Sequence, residues 1–334
     1  MADYVEQRRE HPVSQRMQQQ KKTQSTNKVA RIPNHLKFVF GGAAGMSAVL
    51  IIHPIDLVKY RMQMSGVGAV VREHRTTLHA VRSIYLKEGI WAFYDGLSAA
   101  LFRQGTYGSI RLGLYTWMFE SYKTAYGTLP LWVKGAFGMT AGGISSFVTT
   151  PADVALIRMT TDGRLPIELR RGYSSVFNAL HRIASEEGFV NLWRGCGPTV
   201  FRAIIVSAAQ LGSYSQAKQM ILSSKLAGDN IICHFGASLV SGFVTAVTCT
   251  PIDVIKTRIQ AMRIGKSGRG EYGGATDVMS KIIRQEGALS LWKGFTPFYA
   301  RVAPYAVFAF VFLEQFNRLY FRYVLGVEQG TVGL

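Results

Sequence analysis

The sequence is poor in the residues that catalysis, zinc binding and disulfide frameworks require. Its three cysteines, Cys196, Cys233 and Cys249, stand singly, without the Cys-x-x-Cys or Cys/His spacing of a zinc site. It contains no glycine-rich phosphate loop, no nucleophile elbow and no paired metal-ligand motif. We therefore predict neither an enzyme nor a protein with a bound metal or cofactor.

Charged residues are also scarce, at 17% of the chain, and the 20 acidic residues are outnumbered by 38 lysines and arginines. Hydrophobic residues make up 48% of the 334 residues, and 34 are glycine. The net charge of +18 would suit a nucleic-acid-binding protein. Such a protein rarely has six long, apolar, glycine-rich stretches, so the composition favours a membrane protein with basic loops and no nucleic-acid partner.

One short pattern, a proline followed two residues later by an aspartate, occurs three times, with starts 97 and 100 residues apart. Each copy carries a Glu-Gly pair, and then a second glycine, about 35–45 residues after the proline. The recurrence of these motifs three times, in the same order and at nearly constant spacing, indicates a threefold internal repeat. The predicted divisions are an N-terminal extension (1–34), three repeats (35–126, 127–226 and 227–325) and a C-terminal tail (326–334).

Each repeat contains two apolar stretches that are long enough to span a bilayer as helices. These six helices are predicted over 35–62, 97–126, 131–160, 196–224, 231–260 and 295–325. Shorter amphipathic segments, at 74–88, 173–187 and 273–286, are predicted to lie along the membrane surface. The predicted fold is an all-α membrane protein with six transmembrane helices in three pseudo-symmetric repeats and three short amphipathic helices.

The aspartates that follow the prolines predict ion pairs at one end of a pore. Each aspartate shares a helix face with the residue three positions later. The three combinations are Asp56 with Lys59, Asp153 with Leu156, and Asp253 with Lys256. Pairing within each helix is one interpretation. Pairing between neighbours in a ring of three helices, which would form a gate, is the other.

The far ends of the even-numbered helices carry a thinner set of charges. It consists of Glu120, Lys123, Lys218 and Glu314. These residues predict a second gate on the opposite side of the membrane, with solvated helix ends as the alternative.

Three arginines within the apolar stretches are in register. Arg103, Arg202 and Arg301 each lie seven residues after the second glycine of their repeat, or about 10 Å into a helix. Arg103 shares a helix face with Tyr107 and Arg111. Guanidinium groups at one depth repel one another unless an anion binds, and their planar fork matches a carboxylate. We therefore predict an anion-binding site.

These motifs resemble the mitochondrial carrier family, whose signature is Pro-x-[Asp/Glu]-x-x-[Lys/Arg]-x-[Lys/Arg] in each of three repeats. The resemblance covers residues 35–325. It implies a six-helix bundle in the inner mitochondrial membrane, with both termini towards the intermembrane space and the short helices on the matrix side. It also implies alternating access to one central site between a matrix gate, formed by the signature residues, and a cytoplasmic gate at the far ends.

Within the family, residues 103–113, 208–219 and 312–315 resemble the branch that exchanges 2-oxoglutarate for malate. The departures Leu156, Ser215 and Asn317 are similar to those of this branch. The resemblance implies a dicarboxylate antiporter whose substrate contacts are Arg103, Tyr107, Arg111, Arg202 and Arg301. Two alternatives stay open: a dicarboxylate/phosphate or proton-leak carrier of the same branch, and a carrier-fold structural subunit of a larger membrane assembly.

Two further partners are predicted. Helix-start amides at Gly96, Gly195 and Gly294 are expected to hold an anionic membrane lipid, cardiolipin, with interfacial anchoring as the alternative. Residues 1–34 lack the apolar core of a secretory signal. Their basic residues suit a transit peptide, but their acidic residues favour a disordered tail or an arm that docks to a larger membrane complex.

Overall fold

A computed structural model describes residues 34–66, 76–224, 230–262 and 273–324 of the protein. These ranges contain nine α-helices and no strand. The helices are α1 (Asn34–Met64), α2 (Thr77–Glu88), α3 (Leu97–Tyr126), α4 (Leu131–Asp162), α5 (Val176–Arg182), α6 (Cys196–Ser223), α7 (Ile231–Ala261), α8 (Ala275–Glu286) and α9 (Phe295–Tyr323). The predicted N-terminal extension, apart from Asn34, and the C-terminal tail lie outside the described residues.

The six long helices form a closed ring. Each of α1, α3, α4, α6, α7 and α9 packs against the next in this order, and α9 packs against α1. They contain 28 to 32 residues, enough to cross a hydrocarbon core of about 30 Å. Their bounds agree with the predicted ones to within two residues. The predicted all-α fold of six long helices in three repeats is confirmed.

Three segments of the described chain are both long and apolar enough to cross a membrane by composition alone. They are Phe38–Met64, Cys233–Ala261 and Ala288–Tyr323. The remaining long helices, α3, α4 and α6, carry charged residues such as Arg103, Arg158 and Arg202. Large apolar side chains such as Val39, Phe147 and Phe310 are exposed, as expected for a surface that contacts lipid.

Glycines set the limits of the short helices. The Glu-Gly pairs place Gly89 after α2, Gly188 after the π-helical turn Ile183–Glu187 that continues α5, and Gly287 after α8. Their φ angles are 84°, 100° and 84°, a region that glycine enters at low cost. The chain can therefore turn sharply from each short helix towards the next long one.

Polar side chains fix the other ends of several helices. Thr76 accepts a hydrogen bond from the amide of His79, Ser175 from that of Asn178, and Asn230 from that of Cys233. Such N-caps satisfy amides that have no partner within the helix. They account for the starts of α2, α5 and α7.

Candidate functional site

Two of the signature aspartates pair with lysines of a neighbouring repeat. Lys59 Nζ lies 2.6 Å from Asp253 Oδ2, and Lys256 Nζ lies 2.8 Å from Asp153 Oδ2. All four side chains are largely buried. Since the partners are 194 and 103 positions apart, these are contacts between helices of the ring and not the local pairs that the spacing also allowed.

The third pairing position holds a leucine in place of a lysine. Asp153 of the second repeat pairs with Lys256 of the third. By the same pairing of each repeat with the next, Asp56 of the first repeat lies opposite Leu156 of the second. The Leu156 side chain is buried in an apolar cluster that includes Ala99, Ala100 and Ala155. Asp56 instead forms an ion pair with Arg301 of α9.

All three in-register arginines contact signature aspartates. Arg103 Nε lies 3.4 Å from Asp153 Oδ1. Arg202 is bonded to Asp253, and Arg301 to Asp56. Each arginine thus reaches the aspartate of the next repeat around the ring, so the repulsion expected between the guanidinium groups is offset by carboxylates of the protein itself.

A small cavity lies between these groups. Its volume is about 30 Å³, and its lining includes the three arginines, Asp153 and Asp253. The volume is close to that of one water molecule. In this conformation the arginine side chains are about one-quarter exposed, so the site is compact but not sealed.

Tyr107 and Arg111 extend the basic face of α3, as predicted from their spacing. Arg111 Nη1 donates to Tyr107 Oη over 3.4 Å, and its guanidinium carbon lies 5.8 Å from the centre of the tyrosine ring. This pair lies one to two turns beyond Arg103 on the same helix. It places a second guanidinium and a phenol along the route from the cavity.

Three buried arginines that were not assigned a role from the sequence form a second ring of ion pairs. They pair with the glutamates of the Glu-Gly marks: Arg61 with Glu88, Arg158 with Glu187, and Arg258 with Glu286. Each arginine also donates to a main-chain carbonyl of the next repeat, at Thr160, Gln260 and Gln63 respectively. The separations of 27, 29 and 28 residues between partners were the signal in the sequence that could have identified them.

Phe298 is a further site residue that sequence patterns did not identify. Its ring centre lies 4.5 Å from Lys59 Nζ and 5.6 Å from the guanidinium carbon of Arg301. The face of an aromatic ring attracts cations. Phe298 therefore supports two positive charges next to the cavity without competing for their hydrogen bonds.

The four residues predicted to form the second gate are not joined in a ring. Glu120 and Lys123 are exposed and form no ion pair with another described residue. Glu314 pairs with Arg318 on its own helix, and Lys218 is half-buried. In this conformation charges are therefore paired across helices at the signature end of the ring but not between these residues at the other end.

The glycines predicted to bind lipid immediately precede the second long helix of each repeat. Gly96, Gly195 and Gly294 have φ angles of 79°, 76° and 85° and immediately precede α3, α6 and α9. All three pack against the last turn of the first long helix of a neighbouring repeat. A Cβ on Gly195, for example, would lie 2.9 Å from the Gln260 side chain. Close packing thus accounts for glycine here independently of any lipid.

The residue before this glycine differs among the repeats. Arg194 and Lys293 occupy it in the second and third repeats, whereas the first has Asp95. Burial raises the pKa of the Asp95 carboxyl, opposed by the positive charge of Arg61. Among the described residues, no group of three or more His, Cys, Asp or Glu side chains is arranged to hold a metal ion.

Comparison with known proteins identifies relatives along nearly the whole chain. A family model described as "Mitochondrial carrier protein" matches residues 30–125, 127–225 and 228–324. The chain is 55% identical over 294 residues to a protein of Bos taurus named "Mitochondrial 2-oxoglutarate/malate carrier protein", covering 88% of this chain and 93% of the bovine one. The mouse protein of the same name is 56% identical with the same coverage. "Mitochondrial uncoupling protein 5" of Arabidopsis thaliana is 38% identical, covering 86% of this chain and 98% of its own.

Proposed function

Because the chain belongs to the mitochondrial carrier family, we propose that it exchanges dicarboxylates, 2-oxoglutarate for malate, across the inner mitochondrial membrane. The names of the bovine and mouse relatives support this substrate pair. The observation that carries the proposal is the meeting of Arg103, Arg202 and Arg301 around one cavity. The activity is transport and not catalysis.

The proposed substrate contacts are Arg103, Tyr107, Arg111, Arg202 and Arg301. A dicarboxylate has two charged ends, which suits binding between Arg202 and Arg301 on one side and Arg103 or Arg111 on the other. Tyr107 would donate a hydrogen bond to the bound anion. Because the three in-register arginines are already paired with the signature aspartates, a bound dicarboxylate would compete with those aspartates for the guanidinium groups.

Competition between substrate and aspartate carboxylates for the arginines couples substrate binding to opening of the ring, as exchange requires. A substrate carboxylate that binds Arg103, Arg202 or Arg301 competes with the signature aspartate that is paired with that guanidinium, so substrate binding weakens the contacts that hold the helices together. A ligand can shift a conformational equilibrium only by its differential binding to the two states. Substrate that binds the arginines in place of Asp56, Asp153 and Asp253 meets this condition.

The matrix gate is proposed to consist of Asp56, Lys59, Asp153, Asp253 and Lys256; the ion pairs of the two lysines with Asp253 and Asp153 support a closed gate in this conformation. The cytoplasmic gate is proposed to consist of Glu120, Lys123, Lys218 and Glu314, which would pair when the ring opens at its matrix end. Since six helices cross the membrane, the first and last helix ends lie on the same side. We assign that side to the intermembrane space.

Cardiolipin is the proposed lipid partner. The amides that follow Gly96, Gly195 and Gly294 begin long helices, where main-chain N–H groups and the helix dipole favour a phosphate. Asp95 makes the first of these sites less basic than the other two. Docking to a larger membrane complex through residues 1–34 is a separate proposal that concerns residues outside the described ranges, apart from Asn34.

Exchange by purified protein in liposomes tests the proposed function. Vesicles preloaded with malate should take up labelled 2-oxoglutarate, and empty vesicles should not. Arg202→Ala and Arg301→Ala should each reduce uptake at least about a hundredfold, because each removes a charge-assisted bidentate contact. Arg82→Ala, at an exposed position on α2, is the matched control and should leave uptake unchanged.

Other results would identify the alternatives. Uptake that requires internal phosphate would indicate a dicarboxylate/phosphate carrier, and proton conductance without exchange would indicate a leak carrier. The Arabidopsis relative named as an uncoupling protein makes this second measurement necessary. Absence of any flux from correctly folded protein would contradict the proposal and favour the structural role.

A further inference from the structure

A hydrogen bond between residues close to Arg103 and Arg301 joins the two helices that flank α1. Gln104 Nε2 of α3 donates to Tyr305 Oη of α9 over 2.9 Å, between residues 201 positions apart. The pair lies directly on the α1 backbone, where a Cβ on Gly45 would be 2.9 Å from Gln104 Nε2 and 3.5 Å from Tyr305 Oη. Glycine at position 45 therefore makes room for the bond.

Both partners lie close to site arginines along their helices. Gln104 follows Arg103 directly, and Tyr305 lies four residues, or one helical turn, after Arg301. The charged groups that act on the Tyr305 hydroxyl are Arg301, Arg103 and Asp56. The phenol thus points into the same charged interior as the proposed substrate contacts.

The Tyr305 hydroxyl accepts a hydrogen bond but donates none to a described residue. A phenol has one O–H donor and can also accept. The amide of Gln104 uses the accepting side of the oxygen, and no described residue accepts the Tyr305 proton. Gln104 therefore orients a hydroxyl whose own hydrogen is available to a molecule bound one helical turn away, at Arg301.

The repeats are unequal at this position. One turn after the in-register arginine stand Tyr107 in the first repeat, Val206 in the second and Tyr305 in the third. The Tyr107 oxygen accepts from Arg111, whereas that of Tyr305 accepts from a neutral amide. Three similar arginines cannot by themselves distinguish the ends of a dicarboxylate, but two phenols in different surroundings can.

We propose that Tyr305, positioned by Gln104, is a specificity-determining residue that donates a hydrogen bond to the oxygen on C2 of the substrate. The inference rests on the proposed dicarboxylate exchange. A carboxylate at Arg301 brings its neighbouring carbon towards Tyr305. Keto and hydroxyl oxygens at C2 both accept a hydrogen bond, so 2-oxo and 2-hydroxy dicarboxylates satisfy the phenol and unsubstituted dicarboxylates do not. Sites built to bond a substrate oxygen discriminate against analogues that lack it.

Exchange kinetics of the full-length protein in liposomes test this role. Wild-type protein should have a higher kcat/KM for malate and 2-oxoglutarate than for succinate. Tyr305→Phe should reduce this preference about three- to tenfold, the value of one neutral hydrogen bond, by raising the KM for the two C2-oxygenated substrates while that for succinate stays constant. Tyr299→Phe, on the same helix but directed at the Leu239 carbonyl of α7, is the matched control and should keep the wild-type ratio.

Gln104→Leu provides a second variant that retains the phenol. It should lower the same preference, by less than Tyr305→Phe does, because Gln104 acts only by positioning. Equal losses for all three substrates, an unchanged ratio in Tyr305→Phe, or wild-type protein without a preference over succinate would each overturn the inference. If wild-type protein exchanges no dicarboxylate at all, it is the proposed function that fails.

Discussion

Arg301 forms an ion pair with Asp56, the signature aspartate that stands opposite a leucine. Asp153 and Asp253 each have a lysine and an arginine as partners, whereas Arg301 is the one cationic partner of Asp56 among the described residues. The ring of contacts at this end therefore has one weaker seam, between α1 and α4. Substrate that takes Arg301 from Asp56 leaves that carboxylate without a counter-ion.

Restoring a lysine at this seam should slow exchange. In Leu156→Lys the new ammonium can reach Asp56, and a hydrogen bond between charged groups is worth about 1.5–3 kcal/mol. We expect exchange to slow about tenfold and the matrix-closed state to become more populated. Initial exchange rates and side-specific labelling of the cavity would measure the two effects.

Leu156→Met is the control for this substitution, because it conserves volume without adding charge. It should exchange at close to the wild-type rate. If Leu156→Lys shows unchanged kinetics and unchanged labelling, the leucine does not weaken the gate.

The second ring of ion pairs should contribute strongly to stability. Glu187→Gln removes the counter-charge of Arg158, which is fully buried, and breaking a buried pair costs about 3–5 kcal/mol. The apparent unfolding temperature in detergent should fall by about 5 °C or more. Glu186→Gln, at the neighbouring position, removes an exposed ion pair with Arg182. This variant should shift the apparent unfolding temperature by about 1 °C or less. Similar shifts for the two variants would contradict the role of the buried pair.

The pair at Glu286 predicts a loss of stability in acid. Burial disfavours the charged carboxylate, but hydrogen bonds from Arg258 and Lys293 outweigh it and lower the pKa below its ordinary value of 4.5. A lowered pKa in the folded state stabilises the fold above pH 4.5, and this contribution is lost as the pH falls further. Unfolding temperatures measured between pH 7 and pH 3 should show this fall.

Glu286→Gln should be less stable than wild type at pH 7 and should lose less stability on acidification. Glu168→Gln, at an exposed position in the short 3-10 helix Ile167–Leu169 after α4, should follow the wild-type curve. An unaltered pH profile in Glu286→Gln would show that this carboxylate does not contribute.

Two glycines near the start of α6 should respond oppositely to alanine. Gly195→Ala forces a Cβ into a backbone with φ of 76° and to within 2.9 Å of Gln260, and the left-handed conformation alone costs about 1–2 kcal/mol. Gly197→Ala places a methyl group in open space within the helix, where alanine is favoured by about 0.5–1 kcal/mol. Unfolding temperatures should therefore fall in the first variant and rise in the second; equal values would contradict this account.

The long helices could be predicted to within two residues because apolar stretches of about 30 residues are bounded by glycine, proline and charge. The in-register arginines could be predicted for a similar reason, since a charge within an apolar stretch stands out. The short segment at 173–187 was less regular than predicted. Its α-helix ends at Arg182 and continues as a π-helical turn, a change in hydrogen bonding that leaves no mark in hydropathy.

It was harder to predict which site residues pair with each other than to predict which residues belong to the site. Lys59 and Asp253 were each expected in a gate, but their separation of 194 residues means that their contact depends on how the ring closes. Arg158 carries a constant spacing to Glu187, yet a single basic residue at a helix end resembles many solvated ones. Phe298 has no polar signal at all, since its role comes from the cations placed above its ring.

The contacts between Lys59 and Asp253 and between Asp56 and Arg301 have a consequence for synthesis of the chain. Both join the first repeat to the third, so a growing chain that ends before residue 253 has neither of them, and Asp153 still lacks Lys256. Until the last repeat is made, Asp153 can pair with Arg103, but Asp56 and Lys59 lack the partners that they have in the closed ring. The first two repeats therefore cannot reach their final packing on their own. The ring of six helices closes only when the last helix, which carries Arg301, has packed against α1.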